Sequence, residues 1–94
     1  MSQQVVQRRL TDVHQRLVKA RQELAVVEEQ LLVFDETADD ARIRSLVSET
    51  PLANHDWNEA RRHADAMRRG RDDARARVAE LERAQDELLA KLVV

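Results

Sequence analysis

An unbroken four-three spacing of apolar residues runs through almost the whole chain and is interrupted once, near the middle. Val6, Leu10, Val13, Leu17, Ala20, Leu24, Val27, Leu31, Phe34, Ala38 and Ala41 form one series. Trp57, Ala60, Ala64, Met67, Arg71, Ala74, Val78, Leu81, Gln85, Leu88 and Leu92 form the second, with two polar members. A seven-residue repeat with two apolar positions puts those positions on one helix face, the seam of a coiled coil. No strand reading survives it, because strands alternate with a period of two. Between the series stands Ser48-Glu49-Thr50-Pro51, which holds the only proline. The chain is expected to be all-α: two long helices folded back on each other as an antiparallel coiled-coil hairpin.

Composition agrees and narrows the function classes. Of 94 residues, 36% are charged, and Phe34 and Trp57 are the only aromatics. This is the Ala/Glu/Leu/Arg-rich signature of long helices. Without cysteine there is no disulfide, thiolate metal site or cysteine nucleophile. A formal charge of −2 provides no global field for nucleic acid or anionic membrane. No apolar run has membrane-spanning length, and Met1-Ser2-Gln3-Gln4 does not read as a signal peptide. A soluble cytoplasmic protein is expected, forming a single helical-hairpin domain over residues 1–94.

Helix one is expected over about 2–48, the turn at 49–50 and helix two over about 51–92. Thr50 suits an N-cap, with Pro51 at the first helical position, where its missing N–H costs nothing. So short a turn forces antiparallel pairing, in one of two registers a heptad apart. The tighter pairs Ala41 with Trp57, Phe34 with Ala64, Leu31 with Met67, Ala20 with Val78 and Leu17 with Leu81. Each aromatic then faces an alanine, which fills the seam without clashes. Its flanking charges set Glu28 by Arg68, Asp35 by Arg61, Glu23 by Arg77 and Arg44 by Asp56, but also Arg21 by Arg75. The looser register relieves that last clash and sets Phe34 against Arg71, so the tighter is preferred. Thr37-Ala38-Asp39-Asp40 has the spacing of a capping box, an alternative break at 35–37. Continuity is expected, because the heptad passes through it without a slip.

Helix one carries a second apolar stripe opposite the seam. Val18, Ala25, Val26, Leu32 and Val33 form it, and Leu46 and Val47 continue it toward the turn. Helix two has no equivalent until Leu89, Val93 and Val94. A two-layer hairpin buries little surface, so a second stripe reads as a contact face. Val18, Val26, Leu32 and Val33 are the candidate side contact, and two hairpins meeting there would make a four-helix bundle. Leu46, Val47, Leu52 and Trp57 are a candidate contact at the tip. Arg71, polar in the seam beside Gly70, is a candidate register-setting residue.

Chemistry is sparse. His55, Glu59 and His63 are spaced four apart on one helix face, a pattern that can present two imidazoles and a carboxylate to a metal. A solvated polar face explains it more simply, and no cofactor or metal is expected. No phosphate-binding glycine loop, nucleophile elbow or pair of carboxylates in a cleft can be found. The arginines of helix two are diluted by Asp65, Asp72 and Asp73 and lack interleaved aromatics, so direct nucleic-acid binding is not expected.

The segment 52–60, Leu-Ala-Asn-His-Asp-Trp-Asn-Glu-Ala, resembles the acidic-aromatic hairpin tip of the Gre transcript-cleavage factors. That resemblance implies insertion of a coiled-coil tip into RNA polymerase. It lacks the Gre run Gly-Asp-Leu-Ser-Glu-Asn and leaves no room for a second domain. Gly70-Arg71-Asp72-Asp73 is similar to part of the motif of a cyclic-dinucleotide-binding anti-sigma hairpin, whose remainder is absent. Small secreted helical hairpins with a Trp-x-Gly turn are similar in length, but here Trp57 is followed by Asn58-Glu59. No family assignment follows. The expected function is a non-enzymatic interaction protein that self-associates and serves as adaptor, scaffold or regulatory subunit, with itself and another protein as partners. The alternative is a transcription modulator acting through the tip or as an anti-sigma-type regulator.

Overall fold

The computed structural model describes residues 2–92. Two long helices account for nearly all of them: α1, Gln3–Ser48, and α2, Pro51–Leu92. Val93 and Val94, read above as extending the second stripe, lie outside the described residues. Both helix starts are capped by hydroxyls. The amide of Val5 donates to Ser2 Oγ at 3.3 Å, and that of Ala53 to Thr50 Oγ1 at 3.2 Å. Each satisfies an amide of a first turn that has no partner within its own helix.

α1 ends in a left-handed cap. Glu49 has φ 51°, and its amide donates to the carbonyl of Ser45 at 3.1 Å. That five-to-one bond is the αL motif, normally completed by glycine because a Cβ is strained there. Thr50 and Pro51 then start α2 at once. α1 is continuous through 35–37: the hydroxyl of Thr37 donates back to the carbonyl of Val33 at 3.0 Å. The hydroxyl thus back-bonds within the helix rather than capping a new one, and the acids after Thr37 lie mid-helix.

The chain divides into two compact units, residues 2–24 with 73–92 and residues 25–72. In the first, the ends of α1 and α2 run antiparallel. Leu17, Ala20 and Val78 are buried together, and Leu24 and Leu81 pack against them. Glu23 meets Arg77 at 3.3 Å, and Arg21 meets Glu82 at 3.9 Å. Arg21 thus finds an acid one heptad further along α2 than Arg75. These pairs are exposed and contribute ~0–1 kcal/mol each.

The second unit is a helical hairpin closed by the Glu49-Thr50 turn. Leu31, Ala41, Ser45 and Ala64 are buried in it. The Phe34 ring meets His63 edge-on, with centroids 6.2 Å apart. Ser45 donates a hydrogen bond to Asn54 Oδ1 just beneath the turn. Phe34 beside His63, and Ala20 and Leu17 with Val78 and Leu81, follow the tighter pairing. Both units therefore keep the same register. Every position of the two apolar series is buried or half-buried, Arg71 and Gln85 included.

Flanking ion pairs follow the register less closely. Arg68 reaches Asp35 at 2.5 Å and Asp65 at 2.8 Å, rather than Glu28. Arg61 lies over the Trp57 ring, 5.4 Å from its centroid, and bonds Asn58 instead of Asp35. Long arginines choose among several acids at little cost, which is why seam spacing predicts them poorly.

Candidate functional site

Among the described residues, several large apolar side chains stand exposed. Helix two-turn geometry sends the seam positions inward and the two positions that follow each Leu or Ala of the seam outward. Within the unit of residues 25–72, Val26, Leu32 and Val33 are accordingly 52%, 67% and 62% exposed. Val18, in the other unit, is 40% exposed. Asp39 and Asp40 take the next outward pair, so acids interrupt the stripe on α1.

Beyond them the apolar surface resumes at the turn. Leu46, Val47 and Leu52 are the most exposed apolar side chains there, Val47 at 80%. Trp57 behaves differently. It occupies a seam position, is half-buried, and carries Arg61 across its ring. It belongs to the packing under the tip more than to the exposed tip. Ile43, 51% exposed, joins the patch and was not singled out from sequence. Its place one turn before Leu46 and Val47 was the available signal.

Arg71 is half-buried at its seam position, its side chain 24% exposed. Its guanidinium turns along its own helix to Asp72, at 3.0–3.1 Å. The side chain thus covers the seam with its stem and keeps its charge at the rim. Beside it Gly70 is helical, and a Cβ there would meet no atom within 4 Å.

His55 and Glu59 pair at 3.4 Å on the exposed face, whereas His63 turns to Phe34. The three do not converge, and among the described residues no group of three His, Asp or Glu side chains is placed to hold a metal. An open groove of about 290 Å³ lies beside the seam, lined by Phe34, Ala41, Ala60, Arg44, Asp56 and His63 among others. In the other unit an open groove of about 500 Å³ is lined by self-pairing charges, including Glu23 and Arg77, with Leu81. Neither presents a buried nucleophile or an unsatisfied polar atom. Among the described residues no helix is long and apolar enough to cross a membrane.

Compared with known proteins, the chain matches no family model, no curated protein and no solved structure.

Proposed function

We propose that this chain is a non-enzymatic, cytoplasmic interaction module that self-associates through the outer face of α1 and serves as an adaptor, scaffold or regulatory subunit. One observation carries the reading. Val26, Leu32 and Val33 stand 52–67% exposed on one face of α1, outside the single seam that two helices can bury between them. Covering them adds apolar burial that the seam alone lacks, at about 25 cal/mol per Å². A second copy supplies a complementary face by symmetry, since a two-fold contact uses the same patch twice. The product is a four-helix bundle. Arg71 sets the register of α2 on α1 within each hairpin, because a slip of one heptad would set its guanidinium against Phe34.

Sedimentation equilibrium tests this. A dimer is expected, with a melting temperature that rises with protein concentration. A chain that stays folded and monomeric at high concentration, with Val26 and Leu32 uncovered, would reject self-association.

A second reading rests on the tip. Leu46, Val47 and Leu52 project from the turn, as a hairpin that enters a cleft in a larger assembly requires. A transcription modulator working through its tip is the form of that reading with a sequence resemblance behind it.

A further inference from the structure

Residues that recur every seven positions along one helix share one side of it. α1 is a single helix, Gln3–Ser48. One side of it therefore carries Lys19, Val26, Val33 and Asp40 in one row, and Arg16, Glu23, Gln30, Thr37 and Arg44 in the row beside it. Every member of both rows is exposed. Val33, Thr37 and Arg44 border the groove of residues 25–72, and Arg16, Lys19 and Glu23 border the groove of the other unit. Among the described residues neither Lys19 nor Asp40 makes an ion pair within the chain.

The first row runs cation, valine, valine, acid, so it complements its own reverse. Laid antiparallel against a second copy about Gln30, it sets Val26 against the second copy's Val33, and Lys19 against the second copy's Asp40. Two-fold symmetry makes each contact twice. The second row then sets Gln30 against Gln30, two neutral amides that can bond each other, and Glu23 against Thr37. Arg16 approaches Arg44, the one like-charged meeting in these rows. Arg16 is already held by Asp12 at 3.1 Å, and Arg44 shares its groove with Asp56 and Glu59. Other placements on α1 fit less well. The outermost row, Gln22, Glu29 and Glu36, would bring carboxylates together. Beyond it, on the side of Val18 and Leu32, the charges of Arg21, Glu28 and Asp35 already have partners within the chain. A parallel pair of α1 helices would set Lys19 against Lys19 and Asp40 against Asp40.

From this we propose that two copies pack α1 against α1 in opposite directions, about a two-fold axis at Gln30, with Val26 on Val33 and Lys19 paired to Asp40 across the contact. The inference rests on the self-association proposed above and adds its direction and register. Charge exchange in the full chain tests it, with sedimentation as the readout. Lys19→Glu and Asp40→Lys each turn two attractions into repulsions, so each should raise the dimer dissociation constant by about fivefold. Mixed in equal amounts, the two variants should associate as strongly as wild type, because their heterodimer restores both pairs. The chain carrying both substitutions should do the same. High salt should shrink the loss in each single variant. Both sites are exposed on a helix, and circular dichroism checks that helix content is kept. A wild-type chain that stays monomeric would overturn this proposal together with self-association. A wild-type dimer that neither single variant weakens, or a weakening that neither the mixture nor the double variant repairs, would overturn the antiparallel pairing alone.

Discussion

The two compact units share one repeat and one register but differ in what they leave uncovered. Residues 2–24 with 73–92 bury Leu17 almost completely, pack Ala20 and Val78 around it, and flank the seam with cross-helix pairs at Glu23–Arg77 and Arg21–Glu82. Their exposed large apolar side chains are few, Val18 and Leu89 among them. Residues 25–72 are built the other way. Their seam buries Leu31 with Ala41 and Ala64, closes with the polar pair Ser45 and Asn54, and includes the half-buried Arg71. They carry Val26, Leu32, Val33, Ile43, Leu46, Val47 and Leu52 on the outside. Both backbone weaknesses also fall there, a glycine inside α2 and a left-handed glutamate at the turn. A single heptad pattern thus supports one region with little large apolar surface outside its seam and another that carries most of it. Contact faces are expected to cost internal stability in this way.

The largest effect that tests this contrast is Leu17→Ala. Leu17 is 1% exposed, and removing its branched end leaves a cavity between helices, at a cost of about 3 kcal/mol. Leu32→Ala, at an exposed site, should change the stability of the monomer by no more than about 0.5 kcal/mol. Denaturant melts of both variants give the ratio, and hydrogen exchange shows where protection falls. Equal losses would mean that Leu32 is already covered in solution.

Next comes Val26→Glu with Leu32→Glu. Two carboxylates placed at an apolar contact are desolvated without partners, so dimer dissociation should strengthen by at least about tenfold. Sedimentation reads the dissociation, and circular dichroism checks that the helices persist. An unchanged dimer would move the contact off this face, leaving Val18, Leu89 or the tip to supply it.

Much of this architecture was legible in the amino-acid order, for a plain reason. Seam positions recur with the helix period, so Val6, Leu17 and Val78 declare their burial by spacing alone. Thr50-Pro51 declares the start of α2 by cap chemistry. Ser45 lay beyond the first series, which ends at Ala41, although it stands four residues later and is buried. The left-handed Glu49 was equally hidden: a turn without glycine or asparagine gives no sign of positive φ. At the site, exposure of Val26, Leu32, Leu46 and Leu52 followed from the repeat, whereas the half-burial of Trp57 under Arg61 depended on rotamers. Ion-pair partners resisted for the same cause, as the exchange of Glu28 for Asp35 beside Arg68 shows.

Gly70→Ala sharpens the comparison from the stabilising side. The residue lies within α2, and its Cβ would enter open space. Alanine therefore gains the full difference in helix propensity, about 1 kcal/mol, with nothing to displace. A thermal melt should rise by roughly 4–8 °C for a gain of that size. Loss of stability instead would show that the flanking Arg71 needs the freedom glycine gives its neighbour.

The smallest effect is Glu49→Gly, and its sign is the informative part. Holding an L-residue in the left-handed region costs about 1–2 kcal/mol, whereas glycine adds roughly 0.5–1 kcal/mol of chain entropy to be lost on folding. The difference favours glycine by about 0.5 kcal/mol, and removing a carboxylate from a helix C-terminus adds a few tenths more at low salt. Glu49→Gln isolates the charge component, since it keeps the Cβ and its strain. The order of melting temperatures should be Gly above Gln above the wild type, with the gap between Gln and wild type closing at high salt as the field is screened. The opposite order would mean that the carboxylate already has a favourable contact in the free protein. In that case the residues of the turn are chosen for folding, and the division between a packing region and a contact region fails at the one place where the backbone itself is strained.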